Sequence, residues 1–517
     1  MNLKTCNIIY VKKQLVLLRI NIISYSIDNV IVIAVVMNPI EIEGDVDAIV
    51  SPNVLKRSLT FVDSYSIIVG IIIGSGIFSS PGVALSRAGS TGAVLIAWFL
   101  SGILVCVTAQ CYFELGSLFP TAGGDYDYLM AAYGEATAFS FAWFNFFISK
   151  PGSQAIIATI FGRYISSIDM IRNNNYSQTI STEESASTKF FAILLIVILT
   201  FLNCSGLKES TYLQKILTGA KIFLVLSIFL ISMVYSYNYP TKFYENLSPS
   251  ISFQDTKVLS FGSAMIACLW SFDGWADMNF MLEELLDTRQ LPSIVWASLF
   301  TVTFIYILAN IAYFSVLSKD EVMNSPAIAV QVGHIIDPSF ILPAIFSLGV
   351  ALSAAGSDNG SIMTGGRAIF AVARDGKLPS FLASVNKAGA PYAALLAQGI
   401  WTIVLLILPG SNFSSLLDFF GPCSWFFYAL SSSAVIILRR KEPDVLRSFK
   451  VFLYPLPPLI VCGIAFIIII SSFHQEPIYT TLAFGFVSLS IPVHYCIKKY
   501  NIFMRQWSWH TLSNSEI

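Results

Sequence analysis

Charge is what this sequence has least of. Only 30 Lys+Arg and 31 Asp+Glu occur in 517 residues, 12% of the chain, beside a hydrophobic content of 55% and a mean hydropathy of +0.70. Soluble domains carry about 25% charged residues, so these charges cannot coat a water-surrounded globule of this length. Much of the surface must face lipid. A net charge of -1 provides no basic field, so no nucleic-acid partner is expected. Histidine is nearly absent: His334, His474, His494 and His510 are scattered, which leaves no metal cluster, no zinc spacing and no Ser/His/Asp set. The chain is therefore read as no enzyme, with no cofactor and no metal. Apart from Cys6, every cysteine (Cys106, Cys111, Cys204, Cys268, Cys423, Cys462, Cys496) lies in an apolar run, so no external disulfide framework is available. No filter repeat or pore-lining charge ring marks a channel.

What is abundant is apolar sequence of spanning length. A membrane helix takes about 20 apolar residues, and such runs fall at about 62–86, 92–118, 136–166, 189–206, 212–235, 258–286, 293–317, 339–372, 393–409, 413–438, 451–473 and 477–497. Stretches such as FFAILLIVILTFL (190–202) do not alternate as barrel strands would. Helices are then the only way to satisfy the backbone in hydrocarbon. The expected fold class is an all-α membrane protein with twelve transmembrane helices in a lipid bilayer. An N-terminus inside places Lys56, Arg57, Arg374, Lys377, Arg439, Arg440, Lys441, Lys498 and Lys499 in cytoplasmic segments, and leaves few cations outside. This fits the positive-inside rule, with both termini cytoplasmic. The sequons at Asn175 and Asn246 then lie in the two longest outer loops as glycosylation candidates.

The expected organisation is a cytoplasmic leader (1–57), a membrane domain (58–498) and a cytoplasmic tail (499–517). Residues 14–36 are apolar but interrupted by Arg19, Asn21, Asp28 and Asn29, and a charge at a helix centre costs about 2.5–3.5 kcal/mol on insertion. No thirteenth span is expected there. Nor does a cleavage site precede the polar stretch 41–57, so a signal peptide fits poorly. Met37, which opens MNPIEIEGDVDAIV, is the expected true start.

The informative residues are those foreign to a membrane helix. Span 1 reads IIVGIIIGSGIFSSPGVAL, with Gly70, Gly74, Ser75, Gly76, Pro81 and Gly82. Its Gly-Ser-Gly is open to two readings, a close helix contact or a point of unwinding. Span 6 carries CLWSFDGWADMNF, where Asp273 and Gly274 sit between Trp270 and Trp275, with Asp277 one turn on. A carboxylate at mid-membrane points to function. Interrupted helices five apart mark the binding site of a secondary transporter. Where a helix unwinds, free N–H groups and a positive dipole end receive a carboxylate, and bare carbonyls receive an ammonium. That arrangement suits a zwitterion, hence an amino-acid-like substrate. Lys221 in span 5 either snorkels or serves as a fixed cation near the break. Lys150 precedes Pro151 and Gly152, where a kink is expected. The Glu283–Glu284 pair could latch to Arg367 or Arg374, or be idle surface charge.

These motifs resemble the L-type amino acid transporter light chains of the amino acid–polyamine–organocation superfamily. The likeness runs from about Ser64 to Val493, through IIIGSGIFSSPG (71–82), YFELGSLFPTAGGDYDYL (112–129), WSFDGWADMNFMLEEL (270–285), GSDNGSIMTGGRAIFAVARDGKLP (356–379) and the Arg-Arg-Lys-Glu-Pro run at 439–443. The resemblance implies a 5+5 inverted repeat (62–235 and 258–438) with helices 1 and 6 broken, two extra helices at 451–497, and sodium-independent exchange of L-amino acids by alternating access at the plasma membrane. It implies that Ile72, Gly74, Ser75 and Gly76 surround the substrate carboxylate, Trp270 lids the site, the Ser271 carbonyl meets the α-ammonium beside Gly274, and Trp425 lines the pocket. Lys221 falls on the lysine that replaces a sodium ion. Asp273 resembles the broad-specificity cystine, dibasic and neutral amino acid light chain, and a carboxylate there favours cationic substrates. An amino acid sensor built on a transporter fold is the alternative.

One departure stands out. Relatives of this type carry a cysteine after span 3, disulfide-bonded to a heavy-chain glycoprotein, and residues 167–188 contain none. A heavy chain can therefore associate only non-covalently through that loop. Non-reducing electrophoresis is expected to show no high-mass band that collapses with reductant.

Overall fold

The computed structural model describes residues 18–27, 30–39, 55–172, 185–247, 258–325, 327–408, 413–475 and 477–513. The chain divides into two units, Met1–Val54 and Leu55–Ile517. In the first, β1 (Leu18–Ile27) and β2 (Val30–Pro39) pair antiparallel, with Ile27 opposite Val30 and Met37 opposite Ile20. Isoleucine is the commonest residue of β1 and valine of β2, residue types that favour a pleated surface. This hairpin is a strand element in a chain whose sequence pattern predicts helices alone.

The second unit is helical. Span 1 is α1 (Phe61–Ile72) and α2 (Gly76–Ala88), and span 2 is α3 (Thr91–Leu118). A short α4 (Asp125–Tyr133) leads into span 3, which consists of α5 (Glu135–Phe144), a π-helical turn (Asn145–Ser149) and α6 (Lys150–Arg172). Spans 4 and 5 are α7 (Ala186–Ser205) and α8 (Leu207–Asn238), followed by α9 (Pro240–Leu247), which carries Asn246. Asn175 lies outside the described residues. Span 6 is α10 (Val258–Ser271), a turn, and a 3-10 stretch (Asp277–Glu284); span 7 is α11 (Leu291–Val316). After α12 (Lys319–Asn324) and α13 (Ile328–Ile336), span 8 is α14 (Ile341–Arg374). The remaining spans are α15 (Tyr392–Ile407), α16 (Phe413–Lys441), α17 (Leu456–Gln475) and α18 (Pro477–Ser513).

Among the described residues eight helices are long and apolar enough to cross a bilayer, and α1–α2, bent by 44°, makes a ninth. The other three expected spans are the ones whose helices are interrupted or short: α5–α6, α10 with its 3-10 stretch, and α15. Caps explain several starts. Thr60 and Asp63 form a capping box on α1, as do Ser318 and Glu321 on α12, while Ser90 and Ser185 accept first-turn N–H groups of α3 and α7.

The interruption of span 3 has a local cause. Pro151 lacks an N–H and its ring crowds the carbonyl four residues back, so the ladder widens and the Lys150 N–H reaches the Asn145 carbonyl. The orphaned Phe147 carbonyl is claimed by the Trp401 indole of α15 at 2.9 Å. The kink expected at Lys150-Pro151-Gly152 is therefore a π-helical turn just before Lys150.

Large apolar side chains are exposed along α7, α8, α11 and α17, among them Phe190, Phe201, Phe223, Phe300 and Phe466. That is the lipid-facing surface the charge shortage implies. Polar residues turn inward instead. Asn359 of α14 accepts from Asn203 of α7 at 2.9 Å and donates to Gln214 of α8 at 2.7 Å. Glu114 holds Arg439 and the backbone N–H of Val451, tying α3 to the segment after α16. At the far end of span 6, Glu284 pairs with Arg367 and Glu283 makes a two-pronged pair with Arg374 at 2.8 Å. Both glutamates are thus ion-paired to α14.

Arg367 and Glu284 keep 2% of their side-chain surface exposed, so deleting one partner strands a buried charge, at a cost of about 3–5 kcal/mol. Arg367→Ala is expected to lower markedly the unfolding temperature of detergent-solubilised protein. The paired Arg367→Met/Glu284→Leu replacement should recover most of that loss in the same melt.

Candidate functional site

Span 1 is unwound at Ile73, Gly74 and Ser75, between α1 and α2. Unwinding strips the last carbonyls of α1 of their helical N–H partners, and each finds a side-chain donor on a neighbouring span. Lys221 of α8 donates to the Gly70 carbonyl at 2.6 Å, and Ser357 of α14 to Ile71 at 2.5 Å. Tyr306 of α11 donates to Ile72 at 2.7 Å, and Ser353 of α14 to Ile73 at 3.0 Å. Across the break, Ser75 stands at the N-cap of α2 without a side-chain cap bond. The Phe78 N–H is taken by the Ser75 carbonyl at 3.1 Å, which leaves the Gly76 and Ile77 N–H groups at the positive end of the helix dipole without a capping side chain.

Span 6 breaks against span 1. α10 ends at Ser271, and Gly274 takes φ 99°, a conformation glycine enters freely. A Cβ on Gly274 would lie 2.3 Å from Ile71 Cγ2, and one on Gly76 would lie 2.8 Å from Ser271 Cα. The N-terminus of α2 thus rests on the C-terminus of α10. The Tyr306 hydroxyl also reaches the Ser271 carbonyl, at 2.8 Å, and Asp273 accepts from the Tyr428 hydroxyl at 2.7 Å.

Both readings of Gly-Ser-Gly hold at once: the segment unwinds, and its last glycine is a close contact. Around the two breaks lies one cavity lined by Ile72, Gly74, Ser75 and Gly76 from span 1 and by Trp270, Ser271, Asp273 and Gly274 from span 6. A second cavity adjoins it, sharing Trp270 and Asp273 as walls and lined further by Arg87 and Trp425. Trp425 lines this second cavity and not the first. Lys221 lines neither; it is buried behind the break and bonded to Gly70. Among the described residues no group of three or more His, Cys, Asp or Glu side chains could hold a metal ion. The cavity thus offers N–H donors and a helix dipole at one end, and carbonyl oxygen with a carboxylate at the other.

The sequence profile described as amino acid permease matches residues 59–488. The chain belongs to the amino acid permease family. Large neutral amino acids transporter small subunit 2 of Mus musculus is 33% identical over 443 residues, covering 85% of this chain and 81% of that protein. Its Homo sapiens counterpart is also 33% identical, over 85% of this chain and 80% of its own length. The b(0,+)-type amino acid transporter 1 of Mus musculus is 33% identical over 432 residues, 83% of this chain and 85% of that protein. The activity of this permease is transport, not catalysis.

Several residues around the permease cavity carry no motif signal of their own. Tyr306 and Tyr428 read as ordinary aromatic packing in apolar spans and Ser353 as a small contact residue, while Ser357 lies in the 356–379 motif with no role marked by it. Lys150 and Asp277 both line the first cavity and form an ion pair at 2.5 Å. Each stands out as a charge in a span, but nothing in the sequence pairs them.

Because Gly76 abuts the Ser271 backbone and Gly274 the Ile71 side chain, Gly76→Ala and Gly274→Ala are expected to prise the two breaks apart. Amino acid uptake should fall by about two orders of magnitude, as misplacements of about 1 Å cost at positioned sites, with surface expression measured in parallel and retained.

Proposed function

We propose that this permease is a sodium-independent exchanger of neutral and cationic L-amino acids, working by alternating access in the plasma membrane with both termini cytoplasmic. The observation that carries the reading is the pair of facing helix ends: the free N–H groups of α2 at Ser75 and Gly76 opposite the Ser271 carbonyl of α10. A zwitterion bridges them, carboxylate to the donors and ammonium to the carbonyl. In this reading Ile72, Gly74, Ser75 and Gly76 cradle the carboxylate, Gly274 leaves room for the ammonium, and Trp270, which walls both cavities, is the lid. Trp425 then lines the approach. The relatives' name, large neutral amino acids transporter, supports the neutral substrates. Asp273, facing the cavity with Tyr428 on one oxygen, supports the cationic ones.

Lys221 is the proposed substitute for a coupling ion, since its ammonium already sits on the Gly70 carbonyl beside the break. Exchange then needs no sodium. Rocking of the broken helices would open the site to each side in turn, with the Glu283–Arg374 and Glu284–Arg367 pairs closing the cytoplasmic one. The words small subunit in a relative's name suggest a larger partner. With no cysteine in residues 167–188, association with a heavy-chain glycoprotein is proposed to be non-covalent. Asn246, partly exposed on α9, and Asn175 are the proposed glycan acceptors.

Radiolabelled arginine and leucine uptake tests the reading. Both should persist without sodium, rise with preloaded unlabelled amino acid, and compete with each other. Asp273→Asn is expected to lose arginine before leucine. Equal loss of both would remove Asp273 from side-chain selection, and binding without flux would make the protein a sensor.

A further inference from the structure

Span 3 brings to the cavity a charge that the broken helices do not supply. Lys150 opens α6 directly after the π-helical turn, and its ammonium lies 2.5 Å from Asp277 Oδ2. The Thr364 hydroxyl of α14 donates to that same oxygen at 3.0 Å, and the Phe280 ring lies 5.6 Å from the Lys150 ammonium. Both donors converge on Oδ2, so the second oxygen of Asp277 is left over. Lys150 and Asp277 each keep 10% of their side-chain surface exposed, and both line the first cavity. Asp273 lines the same cavity, hydrogen-bonded to Tyr428 and in no ion pair among the described residues. Three formal charges therefore bear on one small space, two negative and one positive.

In a poorly hydrated cavity, like charges repel and opposite charges attract far more strongly than in water. What a substrate side chain meets is then the sum of these charges, not any one of them. Without Lys150, Asp277 would be a second unpaired carboxylate demanding a cation of its own. The pair also differs from Arg367–Glu284, which is almost wholly enclosed and lines no described cavity: Lys150 and Asp277 face the space a ligand would fill.

We propose that Lys150 is a tethered counter-ion for Asp277, and that the sum over Lys150, Asp273 and Asp277, one net negative charge, decides which side-chain charge this permease accepts. Cationic and neutral side chains fit that sum, and anionic ones are repelled. The proposal rests on the reading of this cavity as the amino acid site.

The test is uptake of arginine, leucine and glutamate, normalised to surface protein, in wild type, Lys150→Met, Asp277→Asn and the double variant. Lys150→Met makes the sum more negative and should raise the arginine-to-leucine ratio on the order of tenfold. Asp277→Asn makes it zero, and should lower the ratio comparably while admitting glutamate. The double variant restores the sum and should return the ratio to within about twofold of wild type. A ratio that shifts the same way in both single variants, or stays shifted in the double variant, overturns the proposal. Should a single variant fail to reach the surface, the double variant decides, since it leaves neither charge unpaired: any ratio other than the wild-type one counts against the proposal. Wild-type protein that carries leucine but never arginine would defeat the cationic substrate range proposed above. The glutamate arm would still decide this inference: Asp277→Asn should admit glutamate and the double variant should exclude it again.

Discussion

A backbone carbonyl inside a bilayer must be hydrogen-bonded, and water is not there to do it. Unwinding span 1 at Ile73–Ser75 leaves a run of such carbonyls, and the four from Gly70 to Ile73 are met one by one by Lys221, Ser357, Tyr306 and Ser353. These donors come from three different helices, α8, α11 and α14. The break is therefore held open by its surroundings and not by its own sequence alone. With those four carbonyls engaged, the proposed carboxylate site falls to the N–H groups at the start of α2. Lys221 makes the same point: its amine, buried in the membrane, is met by the Gly70 oxygen.

The same constraint recurs away from the site. Pro151 frees the Phe147 carbonyl, and Trp401 covers it across the gap between α6 and α15. The π-helical turn that results sets Lys150 at the start of α6, where it meets Asp277. At the far end of span 6, two glutamates are matched by two arginines of α14. Each departure from regular helix is thus paired with a donor or a counter-charge on another span, and the cavity lies where two such departures meet.

Most of the architecture was legible in the sequence because lipid enforces it. Runs of about 20 apolar residues mark the spans, and Gly74, Gly76, Asp273 and Gly274 stand out against them as residues with no place in an ordinary membrane helix. Lys221 was legible for the same reason, as a lone charge in an apolar run. What could not be read was pairing over long separations. Lys150 and Asp277 are 127 residues apart, and Glu114 and Arg439 are 325 apart; periodicity says nothing about which meets which. Tyr306 and Tyr428 were invisible because a tyrosine in a membrane span reads first as packing, and only the fold reveals what its hydroxyl reaches. The strands at residues 18–39 were missed because their apolar pattern was weighed for a spanning helix and, once that failed, for no other structure.

Tyr306 bonds to both broken helices, at the Ile72 and Ser271 carbonyls, yet a phenol has one hydrogen. The two acceptors must share it or take turns. An ammonium at the proposed Ser271 site would release the hydrogen to Ile72, whose carbonyl also accepts the Gly74 N–H at 2.7 Å, so neither carbonyl would go unmet. On the proposed reading, occupancy at one helix end would be felt at the other through a single proton that moves less than the width of an atom.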